Sequence, residues 1–232
     1  PGTNILSDFY FFCFVFLMFY CFVFVFYYRF ISPSGPFVLI KDSGYWKDAV
    51  IDSIKKGITS SLNCPEEVEL AELLLDLHPW FDMARFTRSG GEANAVAIRI
   101  ARAASGRDKI AICGYHGWHD WYLAANLSSK DKLNKHLLSG LKPLGVPKSL
   151  SGSTLTFSYN NISELEDLVK KNKDIGVIKM EVSRNLEPKH GFLKKVRDLA
   201  NKNGIILIFD ECTSGFRQTF GGLHKLYNVD PD

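Results

Sequence analysis

A chain of 232 residues with 46% hydrophobic residues can fill the core of one large domain, so size does not limit folding. Its formal net charge of +3 comes from interleaved acids and bases, which gives no electrostatic case for nucleic acid or an anionic membrane surface as the main partner. Five scattered cysteines, Cys13, Cys21, Cys64, Cys113 and Cys212, contain no CxxC pair; they argue against a disulfide framework and lead us to expect a reducing, cytoplasmic location.

Residues 9–28 are twenty consecutive apolar or aromatic residues without a charge, long enough by count to span a bilayer. No basic residue precedes the run and no small-residue cleavage site follows it, which argues against an anchor or a leader. Nine of the twenty are Phe, four are Tyr and one is Leu, a low-complexity composition that changes abruptly on either side and reads best as translated non-coding sequence. Residues 1–62 are accordingly expected to be an incomplete N-terminal region, and 63–232 part of one large domain.

Residues 31–44 read as Pro- and Gly-rich loop around a short apolar piece at 37–40, and 46–56 as a helix with Trp46, Ala49, Val50 and Ile54 on one face. Pro65 opens the next helix, with Glu66 and Glu67 in its first turn, where the dipole favours negative charge. Its buried stripe is predicted to be Leu70, Leu73, Leu74 and Leu77, ending before Pro79. A strand at 83–87 then leads through the tight turn Arg88-Ser89-Gly90-Gly91 into a helix whose small face is Ala93, Ala97, Ile100, Ala101 and Ala104. Residues 109–113 are the next strand, and 126–153 read mainly as excursion with a helical turn near 133–138. A strand at 154–159 precedes a helix with a capping box of Ser163 and Glu166 and buried positions Ile162, Leu165, Leu168 and Val169. After a strand at 175–182, residues 192–203 form an amphipathic helix with Phe192, Val196, Leu199 and Ala200 inward and Gly204 at its stop. The five apolar residues 205–209 then read as a strand buried on both faces, closing on Asp210 and Glu211. Strand and helix thus alternate from Met83 to Asp210, the pattern of an α/β fold with a mostly parallel sheet and helices on both faces.

Candidate chemistry gathers at the ends of these strands, where open α/β sheets present ligands. Ser89-Gly90-Gly91 precedes a helix, so its backbone N–H groups can point at an anion, and glycine removes the Cβ that would hold a phosphate away. No GxxxxGK[ST] or GxGxxG pattern accompanies it, which argues against a nucleoside triphosphate or a dinucleotide. Tyr115-His116-Gly117 offers an aromatic face to a flat ligand; the alternative is an interior aromatic cluster with Trp118 and Trp121. Cys113, His116, His119 and Asp120 lack the second ligand pair of a structural zinc site. Glu181 and Asp210 close neighbouring strands and suit either an acid/base pair or two separate contacts. An anion nest, an aromatic plate and a strand-end Asp are together the three contacts that pyridoxal phosphate requires, for its phosphate, its ring face and its pyridine nitrogen.

The segments Phe86-Thr87-Arg88-Ser89-Gly90-Gly91-Glu92-Ala93, Tyr115-His116-Gly117 and Phe209-Asp210-Glu211-Cys212-Thr213-Ser214-Gly215-Phe216-Arg217, in this order, resemble class III pyridoxal-phosphate-dependent aminotransferases. They are most similar to the glutamate-1-semialdehyde 2,1-aminomutase-like branch. The resemblance runs from about Asn63 to Asp232 and implies fold type I, with 63–232 as part of the cofactor-binding large domain. It further implies an enzyme that transfers an amino group from a small-molecule donor to a carbonyl acceptor, or within one molecule, as a homodimer with pyridoxal 5′-phosphate. By the same resemblance Ser89, Gly90 and Gly91 hold the phosphate, Tyr115 stacks on the ring with His116 beside it, and Asp210 pairs with the pyridine nitrogen. Cys212, where the family has Val, packs on the opposite ring face. Glu181 matches the Glu of the family's E-P-x-x-G-N segment, although Val182 and Ser183 to Leu186 here lack its Pro and Gly. The family's Schiff-base lysine lies in an F-G-K motif that no lysine here matches. It is expected beyond the C-terminus, which makes this chain an inactive fragment of an active parent. A non-catalytic protein on the same fold, or a decarboxylase or epimerase with the same cofactor, are the alternatives.

Overall fold

The computed structural model describes residues 45–56, 65–129, 131–136, 139–183 and 185–232, together with the backbone of 13–16. Four parallel strands form the main sheet: β3 (Lys109–Cys113), β4 (Thr154–Thr156), β5 (Ile175–Glu181) and β6 (Ile206–Asp210), in the order β4-β3-β5-β6. A second, two-stranded parallel sheet pairs β1 (Cys13–Phe16) with β2 (Met83–Phe86). No strand was expected at β1; the rest of the aromatic run 9–28, like the apolar piece at 37–40, lies outside the described residues. The helices are α1 (Tyr45–Lys56), α2 (Pro65–Leu77), α3 (Gly90–Ser105), α4 (Asp120–Leu123), α5 (Ile162–Lys171), α6 (Phe192–Asn203) and α7 (His224–Tyr227). Among the described residues no helix is long and apolar enough to cross a membrane.

The alternation of strand side chains sorts the core into two layers. On one face Ala111, Cys113, Ile178, Met180, Leu207 and Phe209 pack against Leu165 and Val169 of α5 and Phe192, Val196 and Ala200 of α6. On the other, Ile110, Ile112, Val177, Ile206 and Ile208 meet Ile98 and Ala101 of α3 and Trp121 and Tyr122 of α4. Each fully buried Ile or Met contributes about 1.5–3 kcal/mol by leaving water, and β5, buried at every residue, supplies Ile175, Ile178 and Met180 to that core. Both faces are helix-covered, as the alternation of strand and helix and the apolar run 205–209 predicted.

Several local expectations change. The stripe of α2 buries Leu74, while Leu73 is 44% exposed. The buried side of α3 is Ala93, Asn94, Ile98 and Ala101, with Ala104 exposed, so the helix is rotated from its expected small face to bring Ile98 onto the sheet. Ser163 does not cap α5: the helix already includes Ile162, and Asn161 caps it, its Oδ1 accepting from the Glu164 N–H at 3.2 Å. Strand β4 stops at Thr156 rather than at Tyr159. The helical turn near 133–138 is a 3-10 turn over Lys132–Lys135. By contrast β3 and α6 lie on their predicted spans, the latter closed by Gly204 at φ 58°, a left-handed conformation that glycine adopts without strain.

Candidate active site

The face of the sheet that packs on α3 is apolar until the carboxyl ends of its strands, where it becomes charged. Counting by twos from Val177 gives Lys179 and Glu181, and from Ile206 gives Ile208 and Asp210. Glu181 and Asp210 are register partners across β5 and β6. The two carboxylates therefore stand side by side, both buried, on the face that α3 covers.

Asp210 is the hub. Its Oδ2 accepts from His116 Nδ1 and from Asn94 Nδ2, each at 2.9 Å, and lies 3.8 Å from Lys179 Nζ. Its Oδ1 accepts from the Cys212 backbone N–H at 3.1 Å, which leaves among the described residues a lone pair on that oxygen. Burial alone would raise the Asp210 pKa, but the Lys179 ammonium, His116 and the Cys212 N–H together hold it well below the usual carboxylate range. His116 is pushed the other way: burial lowers its pKa while Asp210 and the Cys113 carbonyl raise it, and its two ring nitrogens face those acceptors, Nδ1 towards Asp210 at 2.9 Å and Nε2 towards the Cys113 carbonyl at 3.2 Å. The result is a carboxylate that stays ionised at neutral pH, at the carboxyl end of β6, the last strand of the described sheet.

Asn94 draws the other parts together. Its amide also donates to the His116 carbonyl at 3.1 Å, so one side chain on α3 ties the helix that begins at Gly90, the turn after β3 and the end of β6. Ser89 is the N-cap of α3; its Oγ accepts from the Glu92 N–H at 3.2 Å, and Glu92 Oε2 accepts from the Arg88 N–H at 2.9 Å. The Glu92 N–H of the first turn and the Arg88 N–H ahead of the cap are thus satisfied locally, while the Gly90 and Gly91 N–H groups, for which no partner is found among the described residues, can meet an anion. The site turns meet glycine to glycine: a Cβ on Gly117, whose φ is +97°, would stand 3.2 Å from Gly91 Cα. A Cβ on Gly91 would come within 2.6 Å of the His119 ring. A side chain at Gly91 would displace the His119 ring, and one at Gly117 would press on the Gly91 backbone.

The turn after β3 is fixed from several sides. The Gly114 N–H donates to His136 Nδ1 at 3.1 Å, Tyr122 Oη donates to the Gly114 carbonyl at 3.0 Å, and the Tyr115 N–H donates to Glu181 Oε2 at 3.4 Å. Tyr115 is half-buried, held edge-to-face against Tyr122 with ring centroids 5.8 Å apart. The Trp118 part of the expected aromatic cluster is absent, since Trp118 is 66% exposed, whereas Trp121 stacks near His116. Cys212 is half-buried and forms no disulfide. Glu211, next to Asp210, faces away from the site: it accepts from the Leu223 and His224 N–H groups, His224 Nδ1 and Ser214 Oγ, and so anchors the loop that follows β6.

His136 gives the site a pH dependence. Burial, with His116 and Lys135 nearby, pushes its pKa from an ordinary 6.5 down to about 4, and the unprotonated Nδ1 accepts from the Gly114 N–H. Between those values the unfolded chain holds a proton that the folded chain refuses, so stability is full above 6.5 and is lost as pH falls towards 4. This part amounts to roughly 3 kcal/mol. In urea unfolding at about pH 7 and about pH 4.5, His136→Gln should lose less stability on acidification than the wild type, by about 2 kcal/mol.

The residues fit a pyridoxal phosphate. An anion can meet the Gly90 and Gly91 N–H groups at the start of α3, and a protonated ring nitrogen can meet the ionised Asp210. Asn94 and Lys179 escaped the sequence reading. Both could have been found: Asn94 is a polar residue in line with Ile98 and Ala101, and Lys179 is a charge inside an apolar strand.

Comparison with known proteins places these features. The family model for aminotransferase class-III matches residues 43–232. The chain is 36% identical over 211 residues to a 3-aminobutyryl-CoA aminotransferase of Cloacimonas acidaminovorans, covering 88% of this chain and 47% of that protein. It is 37% identical over 205 residues to a glutamate-1-semialdehyde 2,1-aminomutase of Methanothermobacter thermautotrophicus, covering 85% and 47%. Among solved structures, an omega-transaminase from Sphaerobacter thermophilus superposes with a TM-score of 0.68 at 31% identity, over 80% of this chain and 44% of that one. A transaminase with pyridoxal phosphate (PLP) bound gives 0.68 at 26%, over the same shares. The chain spans about half the length of the curated relatives it matches. Parallel sheet, two helical layers and family match agree on fold type I, and the chain belongs to the class-III aminotransferase family.

Proposed function

We propose that this chain forms the cofactor-binding part of a cytoplasmic, homodimeric enzyme that uses pyridoxal 5′-phosphate to transfer an amino group from a small-molecule donor to a carbonyl acceptor, or within one molecule. The observation that carries the reading is Asp210: a buried carboxylate held ionised by His116, Asn94 and Lys179 at a strand end, with one oxygen still able to accept. When bound, the cofactor supplies an electron sink for bond breaking at the substrate α-carbon. In this reading Asp210 holds a proton at the ring nitrogen, so that the sink stays positive. Ser89, Gly90 and Gly91 bind the phosphate through the start of α3, aided by its dipole. Tyr115 and Cys212 flank the ring, His116 orients Asp210, and Glu181 keeps Tyr115 in place through its backbone N–H.

The two curated relatives match this chain almost equally and carry different names, an aminotransferase and an aminomutase, which supports amino-group movement more strongly than either direction of it. The test is made on the whole protein loaded with cofactor. A ¹⁵N-labelled donor amine is offered with a keto acid or aldehyde acceptor, and an amino aldehyde is offered alone. Label appearing in the acceptor product establishes transfer between molecules, and isomerisation of the amino aldehyde without a second substrate establishes the mutase. If nitrogen moves in neither assay across a panel of donors, the proposal fails.

A further inference from the structure

Lys179 is the buried lysine among the described residues, 1% exposed in the interior strand β5 between Ile178 and Met180. An ammonium cannot stand in such a place without charge compensation. Its neighbours supply it: Asp210 Oδ2 lies 3.8 Å from Nζ, and Glu181 projects from the same strand face two residues on. The same Asp210 oxygen also accepts from His116 and Asn94, so the Lys179 ammonium stands beside a carboxylate that other donors already hold in place. Its own pKa is pushed down by burial and held up by Asp210 and Glu181, in keeping with a charge that depends on its partners.

We propose that Lys179 is a positioning residue that shares the Asp210 carboxylate with the cofactor's ring nitrogen and thereby sets how strongly the site favours a protonated ring. The inference rests on the cofactor reading above and deepens it. A carboxylate facing one cation attracts a second less strongly than it would attract a first, and the effect is large where water is excluded. Lys179 therefore tempers the pull of Asp210 on the ring proton. Before cofactor binds, it also keeps the carboxylate cluster from standing as bare negative charge.

The test uses the full chain and pyridoxamine 5′-phosphate labelled with ¹⁵N in the ring, a probe that brings its own amine. The ring ¹⁵N shift reports whether that nitrogen carries a proton, a signature that a merely structural role would not move. In Lys179→Met the midpoint of ring deprotonation should rise by about one pH unit, and affinity on the alkaline side should rise about tenfold. Lys179→Arg, which keeps the charge, should stay near the wild type. Should Lys179→Met fail to fold, Lys179→Gln removes the charge while keeping a polar donor and is read in the same way. A midpoint in the uncharged variants equal to or below that of the wild type overturns the inference alone. Absence of probe binding by the folded wild type overturns the cofactor reading and this inference with it.

Discussion

Replacing Asp210 with Ala is expected to destabilise the chain by about 3–5 kcal/mol, because it strips the partner from a buried ammonium and from two buried donors at once. Lys179, His116 and Asn94 all converge on one oxygen of that carboxylate. Asp210→Asn should cost less, since an amide retains one acceptor oxygen, but it removes the negative charge that a protonated ring nitrogen would face. Chemical unfolding of the three forms measures the first effect. Titration with pyridoxamine phosphate measures the second, where Asp210→Asn should weaken binding by about tenfold or more. A variant with wild-type stability would show that the cluster does not depend on the carboxylate.

The second large effect belongs to Gly117. Its φ of +97° is strained for any side chain, and its Cβ would meet Gly91 Cα, a backbone atom that cannot swing aside. Gly117→Ala is expected to cost about 1–3 kcal/mol, and Gly117→Val more. The larger consequence is geometric: pushing the two turns apart displaces the Gly91 N–H from any phosphate it holds. Phosphate affinity should therefore fall more than stability does. Gly140, also at positive φ but with nothing near its Cβ, serves as the control, because Gly140→Ala carries the backbone strain without the contact. Equal losses at the two positions would contradict a role for close packing between the turns.

How much of this was legible in the sequence differs from element to element. Helix α6 could be read nearly to the residue because its apolar positions recur on one face and Gly204 stops it. Strand β6 showed itself as an apolar run, since helices cover both faces of the sheet and neither needs a polar side. Periodicity misplaced the stripe of α3, where several small residues fit more than one face and contact with the sheet selected Ile98. The cap of α5 was misread because Asn161-x-x-Glu164 and Ser163-x-x-Glu166 have similar patterns, and only the backbone shows which residue precedes the helix.

The positions of the Ser89–Gly91 turn, Tyr115 and Asp210 were readable because each lies at or just beyond the carboxyl end of a strand. Their mutual support was not. That Asn94 bridges positions 116 and 210, or that Glu211 turns away to hold His224 while Asp210 turns inward, depends on contacts across the sheet ends that no local pattern encodes. The buried Lys179 lies between these cases: its presence signals a carboxylate partner, but choosing between Asp210 and Glu181 required the register of β5 on β6.

The central claim is that the start of α3, the turn after β3 and the end of β6 together form one cofactor site. Binding of pyridoxamine 5′-phosphate to the folded full chain, followed by ³¹P and ring ¹⁵N resonance in the wild type and in Asp210→Asn, tests it most directly. The account predicts saturable binding at one site per chain, with the ring nitrogen protonated near neutral pH in the wild type and not in Asp210→Asn. A wild type that is folded and does not bind, or a ring nitrogen whose protonation is the same in both proteins, would contradict it.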